Sequence, residues 1–349
     1  MMKMGIVGSK PTITRKELEG VLDCMIQDEL TTGTTVKKLE AHCAQMTGMK
    51  FCLATSSHTA AYHLAFKALD IASGDEVIIP SYFNSAPLSA LQLCGAKPVL
   101  VDIDDGAFSP SVEQISELVS ERTRAVVVGH LFGFPLDMEL FSRLNIPVIE
   151  DISHIFGKDR GEDVNIFKGS ILVSSFSPEM MITTGNGGMV FTANSRYYSQ
   201  IRDYRNGAPS AAIPGFDYTM TDLQGAMGIS QVLKIKNFIK RRKDIAKIYY
   251  DALQKTPHQS IYSFNDDFTY QSFPILFDSI PEKIEKFWKK QNIQIFKPVQ
   301  PALHDYCELR GLDYPRSDRF SKKLFSLPIY PTLTRKEIEK VARALSMFV

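Results

Sequence analysis

From about residue 50 the chain alternates short apolar, β-branched runs with stretches of helical periodicity. The runs EVIIP (76–80), KPVLVDI (97–103), RAVVVGHL (124–131), IPVIED (146–151), ILVSSFS (171–177) and GMVFT (188–192) read as strands. Between them, Ala86 to Leu93 and Met138 to Leu144 read as helices. Strands alternating with helices in this way predict an α/β domain with a mainly parallel, mixed sheet. The amphipathic stretch from Thr221 to about Leu253 reads as one or two bridging helices leaving that domain. Beyond it, residues 268–277 and 293–297 read as strands, and TLTRKEIEKVARALSMF as a closing helix capped near Thr332 or Thr334. The expected division is a large α/β domain over residues 1–235 and a bridging helix with a small α+β domain over 236–349.

With 349 residues and 44% hydrophobic content the chain can bury a core large enough for that plan. Forty basic against 39 acidic residues leave a net charge of +1, so no broad field draws it to nucleic acid or an anionic membrane. Any anion must be held by a local site. No apolar run reaches the ~18–20 residues of a membrane span, and the opening MMKMGIVGSKPTITRKELEG lacks a signal-peptide core, which predicts a cytoplasmic protein. The five cysteines are scattered without a C-x-x-C pair and read as reduced thiols. The seven histidines form no H-E-x-x-H, so no metal is expected.

Three places carry candidate chemistry, because ligands of open α/β sheets gather at the carboxyl ends of strands. In PVIEDISH, Asp151 follows a strand that reads as fully buried and His154 lies three residues on; the plain alternative makes Asp151 a helix N-cap. In LATSSHTAAYHLA, hydroxyl residues precede a strong helix whose free amides suit a phosphate, with simple capping by Ser57 or Thr59 as the alternative. In SSFSPEMMITTGNGG, Gly185, Gly187 and Gly188 allow positive φ and close backbone approach, or merely a hairpin.

Taken together these segments resemble one family. LTTGTTVKKLEAHCAQMTGMKFCLATSSHTAAYHLAFKALDIASGDEVIIPSY, GAKPVLVDID, PVIEDISHIFG, SFSPEMMITTGNGGMVFT, PGFDYTMTDLQGAMGISQ and SLPIYPTLTRKEIEKV are similar in order and spacing to the DegT/DnrJ/StrS sugar aminotransferases, over essentially the whole chain. The resemblance implies the aspartate aminotransferase fold (fold type I) and pyridoxal or pyridoxamine 5′-phosphate as cofactor. It implies amino transfer from glutamate to a keto sugar nucleotide, in surface polysaccharide or deoxyaminosugar biosynthesis. It makes Asp151 the partner of the pyridinium nitrogen, places His154 beside the ring hydroxyl, and assigns the phosphate to His58, Thr59 and Ser175. The segment PGFDYTM would complete the site of a second subunit, so a homodimer or a heterodimer with an active paralogue is implied.

Against that pattern, Met180 stands where the family lysine forms its Schiff base. Methionine has the reach of lysine but no amine. His58 replaces the usual glycine, Asn84 falls where an aromatic ring often stacks on the cofactor, Asp217 replaces an asparagine that reaches the neighbour's phosphate, and Thr219 a commonly basic residue. Lys158 and Lys168, the nearest lysines on the N-terminal side, read as solvated surface charges. Three readings follow: a working aminotransferase in which Met180 is a deliberate substitution that traps a cofactor or substrate adduct, any cofactor being held non-covalently; a pyridoxamine-phosphate-dependent sugar dehydratase with His154 or another group moving the proton; or a degenerate paralogue that supports an active partner or binds a nucleotide sugar.

Overall fold

The computed structural model describes residues 5–104, 106, 108–159, 166–207, 214–306 and 313–348. Its strands are β1 (Phe51–Thr55), β2 (Glu76–Pro80), β3 (Lys97–Val101), β4 (Thr123–Gly129), β5 (Val148–Asp151), β6 (Ile171–Ser175), β7 (Gly188–Thr192), β8 (Phe273–Leu276) and β9 (Leu324–Leu327). The helices are α1 (Arg15–Ile26), α2 (Thr34–Thr47), α3 (His58–Ala68), α4 (Ala86–Cys94), α5 (Val112–Leu118), α6 (Met138–Phe141), α7 (Ser195–Asn206), α8 (Asp222–Val232), α9 (Ile235–Leu253), α10 (Pro281–Lys290), α11 (Leu303–Tyr306), α12 (Pro315–Lys323) and α13 (Arg335–Met347).

Strands β1 to β7 form one sheet in the order β1-β7-β6-β5-β4-β2-β3, with β7 antiparallel to both its neighbours and the other pairs parallel. Helices cover both faces, so β5, β6 and β7 are buried at every residue, which is why their sequences run apolar instead of alternating. The mainly parallel, mixed sheet expected from the sequence is the one found. All six strand runs of the first 200 residues are present, four of them shortened by two residues at one end and β4 starting one residue earlier.

Other expectations need correction. Residues 293–297 form no strand: Ile293 and Phe296 make isolated bridges to Ile6 and Ser326, and the second sheet is the antiparallel pair β8–β9. The predicted helix at 138–144 is the single turn α6. The bridging stretch is two helices, broken at Leu233 and Lys234. Thr334, not Thr332, caps the closing helix in a reciprocal box with Glu337.

The helices beside the site are fixed by buried acids. Asp222, at the start of α8, accepts the amides of Gly33, Thr35 and Val36 at 2.9, 3.3 and 2.9 Å, satisfying the free N-terminus of α2 with a negative charge. Glu17 of α1 pairs with Lys234 and takes Gln231 at 2.7 Å. The outer face of α1 keeps Leu18, Leu22, Met25 and Ile26 more than half exposed.

Candidate active site

The carboxyl ends of β4, β5 and β6 converge: Gly129 is in register with Asp151, and β5 with β6. With the N-terminus of α3 they enclose a cavity of about 390 Å³, lined by Ser57, His58, Thr59, Asn84, Asp151, His154, Ser175 and Met180 among others. Seven of the eight residues expected at a site therefore meet in one place.

The glycine-rich turn makes the approach possible, though not as expected. Only Gly185 has positive φ, at 82°. Gly188 is needed for proximity, since a Cβ there would lie 2.5 Å from the carbonyl of Ser57. The connection 176–187 is pinned at its base, where Phe176 N–H donates to Gly187 O at 3.0 Å and Thr184 N–H to Phe176 O at 3.1 Å. Met181 and Ile182 are buried in the core beneath it, which sets Met180 at the cavity wall. Among the described residues, no lysine lines that wall. Lys168 pairs with Glu139 away from it. Lys158, expected as a solvated charge, is instead mostly buried and pairs with Asp267 at 3.1 Å.

Asp151 is the centre of the site. It ends β5 and caps no helix; the local interaction is a turn in which its Oδ1 accepts the Ser153 amide at 2.9 Å and hydroxyl at 2.5 Å. Its Oδ2 accepts from the Tyr62 hydroxyl at 2.8 Å and from Asn84 Nδ2 at 3.4 Å, and lies 3.1 Å from His58 Nε2. Burial alone would raise its pKa, but the His58 imidazole and then the Ser153 hydroxyl and amide more than offset this and hold it well below the usual carboxylate range. The carboxylate is ionised at neutral pH.

Around it, Ser57 caps α3 by accepting the Ala60 amide at 3.1 Å, so the capping alternative holds for Ser57, while the helix N-terminus at His58 and Thr59 lines the cavity. The Ser175 hydroxyl bonds that of Ser177 at 3.0 Å. Asn84 does not offer a stacking face: its Oδ1 accepts the Ala86 amide at 3.1 Å and its amide turns to Asp151. Asp217 is exposed, in the left-handed region at φ 52°, and lies outside the cavity. Its segment is tied to the chain's own β1–α3 turn by the Ser56 amide on Tyr218 O at 2.9 Å.

His154 accepts the Phe132 amide on Nδ1 at 2.8 Å, leaving Nε2 to carry the proton of a neutral ring. Burial lowers its pKa to about 4, against the upward pull of Asp151 and with the help of His58 and His130. An imidazole NMR titration is expected to show His154 neutral down to about pH 5. Because the unfolded chain binds that proton first, this residue costs stability as pH falls from about 6.5 towards 4.

Sequence reasoning missed Tyr62 and Ser153, which supply three of the bonds to Asp151. Tyr62 lies four residues after His58 on α3, hence on the same helix face, a spacing that could have found it. It also missed the buried pair His130–Glu150, at 2.9 Å, in which Leu136 N–H occupies His130 Nδ1 and the amides of Lys168 and Gly169 hold Glu150.

Comparison with known proteins agrees with this geometry. The model of the DegT/DnrJ/EryC1/StrS aminotransferase family matches residues 11–346. The chain is 29% identical to GDP-perosamine synthase of Escherichia coli O157:H7 over 97% of both proteins. Among solved structures it is similar to the aminotransferase TlmJ from Streptoalloteichus hindustanus, with 23% identity, 98% of each chain covered and a TM-score of 0.89. The putative sugar aminotransferase Spr1654 from Streptococcus pneumoniae, solved in PLP and PMP forms, gives the same identity and TM-score, with 98% of this chain and 97–98% of that one covered. The fold expected from the sequence is the one these structures share.

Proposed function

Because the chain belongs to the DegT/DnrJ/EryC1/StrS aminotransferase family, we propose that it is a lysine-less member that holds pyridoxal or pyridoxamine 5′-phosphate non-covalently around Asp151. In this reading its substrates are the family's, a nucleotide-linked sugar and glutamate, in surface polysaccharide or O-antigen biosynthesis. The chain does not complete amino transfer alone. The observation that carries the reading is Met180 at the wall of a cavity that otherwise keeps an ionised buried carboxylate, a helix N-terminus and a hydroxyl pair.

The residues present fit the group as a reversible ligand. When bound, it would supply an electron sink for amino-group chemistry. Asp151 would keep the ring nitrogen protonated, the first-turn amides of α3 with Thr59 and Ser175 would take the phosphate, and His154 Nε2–H would donate on the ring-hydroxyl side. Nothing at residue 180 can carry a proton. The dehydratase reading asks His154 to replace that carrier, and a ring whose pKa is lowered to about 4 is a weak base at neutral pH. The exposed apolar side chains of α1, spaced i, i+4, i+7 and i+8, support association with a second copy or a related chain.

Titration of the dialysed chain with each cofactor, followed by absorbance, tests the proposal. Saturable binding of both, lost on desalting and never fixed by borohydride, is the expected result. Absence of binding by either would end it and move the search to a partner chain.

A further inference from the structure

A carboxylate offers about four lone-pair sites, two on each oxygen. Asp151 already has five donor contacts, and three of them fall on Oδ2: Tyr62 at 2.8 Å, His58 at 3.1 Å and Asn84 at 3.4 Å. Oδ2 is oversubscribed. The three donors are not held equally. The Tyr62 ring is fully buried, and its phenol has no other use for its proton. Asn84 is tethered through its own Oδ1 to the Ala86 amide. His58 Nε2 sits off the axis of a proper N–H···O bond despite its distance. It is carried by the first residue of α3, and its ring tilts against Tyr62 at 4.9 Å between centroids while facing the cavity.

We infer that His58 is a resident occupant of the Asp151 carboxylate, which an incoming pyridine nitrogen must displace to reach Oδ2. The inference rests on the cofactor reading above. The displacement makes His58 a specificity-determining residue. A ring phosphate without a nitrogen gains nothing by expelling the imidazole and binds through the phosphate alone. A ring phosphate with one must replace an existing contact before it gains a new one, which keeps its affinity low. In this pocket the imidazole sets the affinity difference between the two ligand classes.

Two probes separate the possibilities: pyridoxamine 5′-phosphate, and benzyl phosphate, which has the ring and phosphate but no nitrogen. Removing the competing contact in His58→Gly is expected to tighten pyridoxamine phosphate by about tenfold or more and to leave benzyl phosphate within about twofold. Equal affinity of wild type and His58→Gly for pyridoxamine phosphate, or an equal gain for both probes, overturns the inference while leaving the cofactor reading intact. If His58→Gly does not fold, the wild-type chain with ¹⁵N-labelled histidine decides. The His58 ring resonances should move on adding pyridoxamine phosphate and stay on adding benzyl phosphate, and resonances unmoved by the bound pyridine overturn it. Failure of wild type and variant alike to bind pyridoxamine phosphate removes the cofactor reading and this inference with it.

Discussion

Restoring an amine at residue 180 by Met180→Lys is expected to convert reversible cofactor binding into covalent attachment. The measurement is the intact mass after borohydride reduction, which should rise by one cofactor in the variant and stay unchanged in the wild type. The same variant should release 2-oxoglutarate from glutamate at least about 10²–10⁴-fold faster, the usual worth of a positioned proton carrier. A well-placed intramolecular amine can add to this, since effective molarities reach about 10⁵ M or more. The substitution is nearly isosteric and stands above the buried Met181 and Ile182, so the fold should tolerate it. Covalent attachment without turnover would mean that His58 or Asn84 has also spoiled the site. No attachment would mean that the cavity does not present residue 180 to the cofactor.

The second large effect is structural as well as chemical. Asp151→Ala would strip the acceptor from the Tyr62 hydroxyl and from both donors of Ser153. Removing one member of a buried, hydrogen-bonded charge set costs about 3–5 kcal/mol, so the thermal midpoint should fall markedly and pyridine phosphates should no longer bind. Asp151→Asn keeps the volume but loses the charge and turns one acceptor oxygen into an NH2 donor. The folded pKa of Asp151 lies below its unfolded value of 3.8. Its contribution to stability is therefore full above about pH 4 and lost as pH falls below that. The gap in thermal midpoint between wild type and Asp151→Asn should be wide at pH 7 and narrow in acid. A constant gap would show that the carboxylate is not held ionised.

The strands of the large sheet were legible because both faces are covered, which leaves long apolar runs that no hairpin pattern imitates. The edge strand β1 and the short β9 were not, since FCLAT and LFSL carry none of the valines and isoleucines that mark the other runs. Asp151 could be read from its place at a strand end and the start of α3 from the hydroxyl residues before a strong helix, while Ser175 was implied only by the family resemblance. The orientation of His58 could not: a histidine in a helix's first turn can face solvent, a phosphate or, as here, a carboxylate, and only the packing of α3 on β6 and β7 decides. Lys158 was misread for the same reason, because its partner Asp267 lies more than 100 residues away.

The pinned connection between β6 and β7 bears on how such a chain could arise. Its ends are locked by the Phe176 bonds and by Met181 and Ile182, while Met180 adds the bond of its amide to Ser177 O at 3.0 Å and leaves its side chain only partly buried at the cavity wall. Selection for folding therefore bears lightly on that side chain, and selection for turnover bears on it heavily. A lysine codon AAG becomes the methionine codon ATG by a single-base change. A descendant could thus lose its chemistry in one step at little cost in stability, and its pocket would remain available for another use.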